Sequence, residues 1–457
     1  MATTAERGTW GSKAGFILAA AGSAVGLGNI WGFPTQVGQG GGAVFVLVYL
    51  LCVLLICLPI MVAELVIGRH AQLDPVGSYA AIRPNTRWWL VGLVGVLAGA
   101  GILSFYSVIA GWSVAYIWFA GSGAVTGDAE AVGTFFATFT ANGPLSVGLT
   151  LLVLGTTATV LLGGVQSGIE RVTKLMMPAL IALLLMLAVR ATTLPGAAEG
   201  LAYYLRPDFS RLLDPMVLLA ALGQAFFSLS LGMGAMLTYG SYLSKRESIV
   251  SAACWVVLLD TSMALLAGFI IFPSGFSIAG FDPSAGGPGL IFTVLPRLFA
   301  TLPGGQLFGA AFFILLTMAA LTSTISLLEV PVAHFIDVHK WPRRRAVLLV
   351  TTAVFLIAIP SALGNGAVAS LGTLPGLGID FLTVMATVWN EFALPIGGLL
   401  TAVFVGWIWR ADQAITEVEL HGRDFPGRHV WSILIRWICP AAIAVIIGFA
   451  VYTVASG

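Results

Sequence analysis

The amino-acid sequence predicts an all-α membrane protein that crosses the bilayer eleven times, with helices one and six broken near mid-membrane. Three observations lead there. Of its 457 residues 58% are hydrophobic and only 9% charged, with a mean hydropathy of +0.98, a balance that no soluble domain shows. Apolar runs long enough to span hydrocarbon, about 20 residues each, recur along the whole chain. Two of those runs carry glycines and polar residues where a straight helix cannot hold them.

The runs fall near 14–37, 43–69, 88–120, 145–163, 169–188, 214–242, 247–273, 303–336, 346–363, 378–409 and 432–454. Several exceed the bilayer thickness, so tilt is expected. With the N-terminus inside, all but four of the 21 Lys and Arg face the cytoplasm; Arg190, Arg206, Arg211 and Arg297 lie outside. That bias sets a cytoplasmic N-terminus, and eleven crossings then leave the C-terminus outside, as expected of a multi-pass plasma (inner) membrane protein. The outer loops, about 121–144, 189–213 and 274–302, hold helix-like pieces such as 288–302 suited to a cap.

A net charge of +1 gives no reason to expect a nucleic-acid partner. Cys52, Cys57, Cys254 and Cys439 sit in apolar runs as small hydrophobes, not as a disulfide or metal framework. The short polar start shows no cleavage site, so no removable signal is expected. No polar stretch delimits a soluble domain, and the chain reads as one transmembrane domain.

The stretch GSAVGLGNIWGFP, Gly22 to Pro34, organises the rest. Gly22, Gly26, Gly28, Asn29 and Pro34 interrupt a membrane helix, and freed peptide groups survive in hydrocarbon only where they line a cavity. Carbonyl oxygens there suit a cation, while the positive end of the following half-helix suits an anion. A zwitterion with a hard monovalent cation fits both; a small-residue packing face through Gly22 and Gly26 is the plainer alternative. A second interruption, QAFFSLSLGMG at Gln224 to Gly234, falls in the sixth run. Breaks in corresponding helices suggest two inverted halves, about 14–188 and 214–409, followed by an extra helix at 432–454.

Intramembrane acids cost about 2.5–3.5 kcal/mol at a helix centre, so each needs a reason. Asp260 has no basic residue in its own run and would be neutralised by a bound cation, or else stays protonated or hydrogen-bonded. Glu64, nearer the cytoplasmic end, is expected to bond broken-helix backbone. Thr322, Ser323, Thr324 and Ser326 cluster in run eight, where hydroxyls either bond the preceding turn or offer oxygens to a second ion.

Taken together, GSAVGLGNIWGFP, GQGGGAVF at 38–45, FFSLSLGMGAMLTYGSY at 226–242 and LTSTISLLE ending at Glu329 resemble the neurotransmitter:sodium symporter family, in its bacterial eleven-span amino-acid transporter form. The resemblance covers nearly the whole chain. It implies a first sodium site from Ala24, Asn29, Ser228 and Asp260, completed by the substrate carboxylate, and a second from Gly22, Val25, Ala319, Thr322 and Ser323. It implies that Leu27, Gly28 and Tyr106 hold the carboxylate, and that Ile102, Phe227, Ser230, Met233, Thr324 and Leu327 form the side-chain pocket.

Relatives that need chloride lack an acid near the first sodium, so Asp260 implies chloride independence. Arg7 and Asp337 match an inner gate, and Asp380 matches the acid of an outer one. Gly32 stands where the family carries that gate's arginine, so the substrate preference stays open. Gly168 and Pro178 bracket a segment of run five that unwinds in relatives. The implied function is sodium-coupled import of an apolar or aromatic L-amino acid by alternating access within the lipid bilayer, with two sodium ions. A non-transporting sensor that keeps the fold is the alternative. No paired nucleophile and base suggests an enzyme.

Overall fold

Ser12 starts the first helix: its hydroxyl accepts from the Gly15 amide at 3.0 Å, capping Lys13–Ala24. The helix ends at Val25, whose ψ of 107° turns the chain out of helical geometry. A wide-turned stretch, Gly28–Gly32, then continues into Phe33–Gln39, and Pro34, which has no N–H to donate to the turn before it, stands directly after the widened turn. The two halves, Lys13–Ala24 and Gly28–Gln39, meet at 49°. In this computed structural model the described residues are 8–212, 214–278, 280–284, 290–301 and 304–456.

Among the described residues there are helices and connecting turns but no strand. Among the described residues nine helices are long and apolar enough to cross a membrane, and the bent first pair makes ten. The expected sixth span consists of Pro215–Ser228 and Ala235–Ser241, each too short to cross alone, so it is not among the nine to ten that length and composition pick out beside the eleven expected from hydropathy. The physical reason is the second break. Ser230, Gly232 and Gly234 all have positive φ, at 53°, 78° and 74°, and helical hydrogen bonding lapses between Leu229 and Gly234.

Caps mark most other boundaries. Asp74, Asn142, Ser248 and Asp380 each accept from amides two or three residues on, starting Pro75–Ile82, Gly143–Leu162, Ile249–Gly275 and Phe381–Ala386. Trp89–Ser122 and Gly305–His339 run against each other through the centre, with 78% of their apolar windows buried. Val165–Thr192 and Arg428–Phe449, at 33% and 22%, present most of their surface outward, as lipid-facing helices do. Of the expected cap piece 288–302, the described part is Leu290–Val294 and Leu295–Thr301.

Candidate functional site

The first break is held open by side chains from three other helices. Gly26 has to be glycine: a Cβ there would lie 2.4 Å from Ser323 Oγ and 2.5 Å from the Tyr106 hydroxyl. The Leu27 amide donates to that Tyr106 hydroxyl at 2.8 Å, and the Gly26 amide to Asn29 Oδ1 at 3.0 Å. Gln224, from the helix before the second break, donates to the Gly28 carbonyl at 2.7 Å. The break is thus satisfied by neutral groups, which can exchange partners without leaving a charge uncompensated.

Beside it, Asn29, Ser228 and Asp260 converge. Asn29 Nδ2 donates to Asp260 Oδ1 at 2.7 Å and to Ser228 Oγ at 3.1 Å, and Ser228 Oγ donates to Asp260 Oδ2 at 2.9 Å. Asp260 and Asn29 are fully buried, and no basic side chain pairs with Asp260 among the described residues. A buried carboxylate with only neutral partners is poorly compensated, and a small cation would supply the missing charge. Ala24 is buried at the same break.

Hydroxyls gather on the other side of the first helix. Thr322 Oγ1 donates to the Ala319 carbonyl at 2.9 Å and to the Val25 carbonyl at 3.4 Å. Ser323 Oγ reaches the carbonyls of Ser23, Val25 and Ala319 at 3.2–3.4 Å. Gly22 completes the group, since a Cβ on it would touch Thr322 Cβ at 3.4 Å. Hydroxyl and carbonyl oxygens without His, Cys or a carboxylate cluster are the donor set of a hard cation, not of a transition metal.

Between the two oxygen clusters lies a chamber of about 20 Å³, room for roughly one water. Ala24, Gly28, Ile102, Tyr106, Phe227, Ser230, Met233 and Leu327 line it, together with Ser23, Gly26 and Ser323, while Leu27 and Ser228 do not. Thr324 does not: its hydroxyl pairs with Thr157 at 2.8 Å and bonds the Leu321 carbonyl, which turns it toward Gly143–Leu162. Successive residues of a helix lie about 100° apart, so Ser323 facing the chamber carries Thr324 away from it.

Tyr106 and Phe227 also line a larger cavity of about 520 Å³ on the far side, so they form the partition between the two. Among the described residues Glu391 is the one charged residue lining this vestibule, with Gln36, Gln39, Gln224 and Asn390 around it. Asp380 does not line it; it caps its own helix and accepts from the Thr383 amide and hydroxyl. Gln224 fills the room left at Gly32, with Oε1 3.0 Å from where a Cβ would stand.

The opposite, basic end is closed. Trp10 donates to the Tyr239 carbonyl at 3.0 Å and packs edge-on against Tyr239 and Tyr242. Glu329 binds Arg343 at 2.6 Å and the Tyr242 hydroxyl at 2.7 Å. Arg69, His70 and Lys245 surround Glu417; burial pushes its carboxyl up, but these three outweigh burial and hold it below the usual carboxylate range. Asp337 accepts from the Asp74 amide at 2.7 Å, while Arg7 lies outside the described residues.

Sequence reasoning missed Tyr49, whose hydroxyl donates to Ser228 at 3.3 Å, and Gln224, Ser23 and Glu170. Gln224 lies inside a stretch already singled out, whereas nothing local marks Tyr49 within its apolar run.

The chain matches the model of the sodium:neurotransmitter symporter family over residues 7–125 and 130–456. It is similar to the sodium-dependent transporter YhdH of Bacillus subtilis, 38% identical over 96% of both chains. It is also similar to the sodium-dependent serotonin transporter of Drosophila melanogaster, 28% identical over 98% of this chain and 77% of the other. Among solved structures, MhsT in complex with L-phenylalanine shares the fold with a TM-score of 0.89 at 46% identity, covering 96% of this chain and 99% of that one. The chain belongs to the sodium:neurotransmitter symporter family, as a multi-pass, sodium-dependent symporter and not an enzyme.

Proposed function

We propose that the protein imports an apolar or aromatic L-amino acid with two sodium ions, independently of chloride. The observation that carries this reading is Asp260, fully buried against Asn29 and Ser228 and without a basic partner, directly beside the first break. A sodium held by Ala24, Asn29, Ser228 and Asp260 would compensate that charge. The amino-acid carboxylate would complete the shell and take the Leu27 and Gly28 amides with the Tyr106 hydroxyl. The second sodium would use Gly22, Val25, Ala319, Thr322 and Ser323. Ile102, Phe227, Met233 and Leu327 favour an apolar side chain, and the phenylalanine bound to MhsT supports the same substrate class.

In this reading the eleven crossings form two inverted halves, the N-terminus and basic end face the cytoplasm, and the C-terminus lies outside. Substrate and sodium enter through the vestibule and part Tyr106 from Phe227. The outer side closes, the basic end opens, and the Lys13–Ala24 half-helix swings away. Each net charge moving inward at 100 mV contributes about 2.3 kcal/mol to accumulation, and two sodium ions with a zwitterion carry two such charges. The fixed charge of Asp260 takes the electrostatic role that chloride fills elsewhere.

Uptake into proteoliposomes of a panel of labelled amino acids tests this. Accumulation of leucine- or phenylalanine-like substrates that needs a sodium gradient and persists in gluconate is the predicted result. Sodium-indifferent uptake contradicts the coupling, and a chloride requirement contradicts the role given to Asp260.

A further inference from the structure

Glu170 is a nearly buried carboxylate at the basic end, outside both oxygen clusters. It closes the wide-turned opening, Val165–Glu170, of a long helix, after Gly164 at a φ of 77°. Its Oε2 accepts from the Gly11 amide at 2.6 Å, and its Oε1 from the Ser12 hydroxyl at 3.0 Å and Lys174 Nζ at 2.6 Å. Ser12 is the residue that caps Lys13–Ala24. Gly15, one turn on, approaches so closely that a Cβ would sit 2.0 Å from Glu170 Oε1. Trp10 fastens the other side of the same segment to Tyr239.

Seven residues further along the helix, on the same face, Met177 Sδ lies 3.2 Å from where a Gly22 Cβ would stand. One helix therefore grips the N-terminal segment through Glu170 and backs the second oxygen cluster through Met177. Hydrogen bonds to an ionised carboxylate are roughly twice as strong as neutral ones, so this grip is the firmer of the two contacts.

We propose that Glu170 is a positioning residue for inward opening: its carboxylate ties Gly11 and Ser12 to the helix that covers the second cation cluster, so releasing the N-terminal segment and uncovering that cluster are one event. The proposal rests on the sodium-coupled reading above. Losing the carboxylate biases the protein toward the inward-open form. Gly15→Ala does the same from the opposite side, because its new methyl group displaces the Glu170 side chain.

The test is labelling by a membrane-impermeant maleimide from the inner face, in a background where Cys52, Cys57, Cys254 and Cys439 are replaced. The reporter is Ala20→Cys, at a fully buried position in Lys13–Ala24. Glu170→Ala is expected to speed labelling about tenfold and Glu170→Gln by less, since its amide oxygen still accepts one bond. Gly15→Ala matches Glu170→Ala, and the double variant is no faster than either. A control cysteine at buried Ala402 keeps its rate.

An unchanged rate in monodisperse Glu170→Ala protein, additive acceleration in the double variant, or equal acceleration at Ala402→Cys overturns the proposal. The Glu170→Ala ratio is read with and without sodium. Parent protein whose labelling ignores sodium counts against the sodium-coupled reading, while the sodium-free ratio still decides the Glu170 proposal.

Discussion

The two helix breaks solve one problem in different ways. At the first, freed peptide groups meet neutral partners: the Tyr106 hydroxyl, the Asn29 and Gln224 amides, and the hydroxyls of Thr322 and Ser323. At the second, the Gly232 amide is tied to Glu64 at 2.7 Å, and a Cβ at Gly232 would lie 2.2 Å from the Leu394 carbonyl. A neutral hydroxyl can trade a carbonyl for an ion at little cost, but a carboxylate tied to backbone in a tight space cannot. The first break is built for exchange and the second for support, so the first should control ligand affinity and the second stability.

The largest expected effect falls on the first break. Asp260→Asn removes the only formal charge there, and the sodium concentration for half-maximal uptake should rise by about tenfold or more, or chloride should become necessary. Sodium titrations in chloride and in gluconate check this. Unchanged values in both would remove Asp260 from the site.

A smaller effect separates neighbours. Ser323→Ala deletes an oxygen facing Val25 and should weaken sodium activation about fivefold, roughly one hydrogen bond's worth. Thr324→Ala should change it less than about twofold, because that hydroxyl faces Thr157. Equal losses would erase the distinction between the two faces of Gly305–His339.

Glu64→Ala should act on stability instead. It leaves the Gly232 N–H without a partner at membrane depth, a loss of about 1–3 kcal/mol that lowers the Tm in detergent. Sodium activation in the surviving protein should stay within about twofold. A large fall in sodium affinity with an unchanged Tm would reverse the roles assigned to the two breaks.

Much of this was legible in the sequence because membrane helices obey simple rules. Gly22, Gly26 and Gly28 marked the first break since hydrocarbon forbids unpaired backbone, and the lone acid at Asp260 stood out for the same reason. Glu64 was expected on broken-helix backbone and accepts from Gly232. Helix phase was harder to read: in a run that is apolar all round, four clustered hydroxyls give no sign of which face meets the chamber, and the resemblance gave Thr324 to the pocket and Ser323 to the second ion, whereas it is Ser323 that lines the chamber. Glu170 escaped because it sits at a helix end rich in charge, where an acid needs no special reason. Asp380 was given to an outer gate by the resemblance, and nothing in its sequence surroundings announced that it also caps its own helix.

The most direct test of the shared cage is equilibrium binding of labelled L-phenylalanine to purified protein as sodium is varied against choline. If sodium and substrate complete one another's coordination at the first break, affinity rises steeply with sodium, and Asp260→Asn flattens that rise. Phenylalanine binding equally tight in choline, or a sodium dependence untouched by Asp260→Asn, would contradict the account.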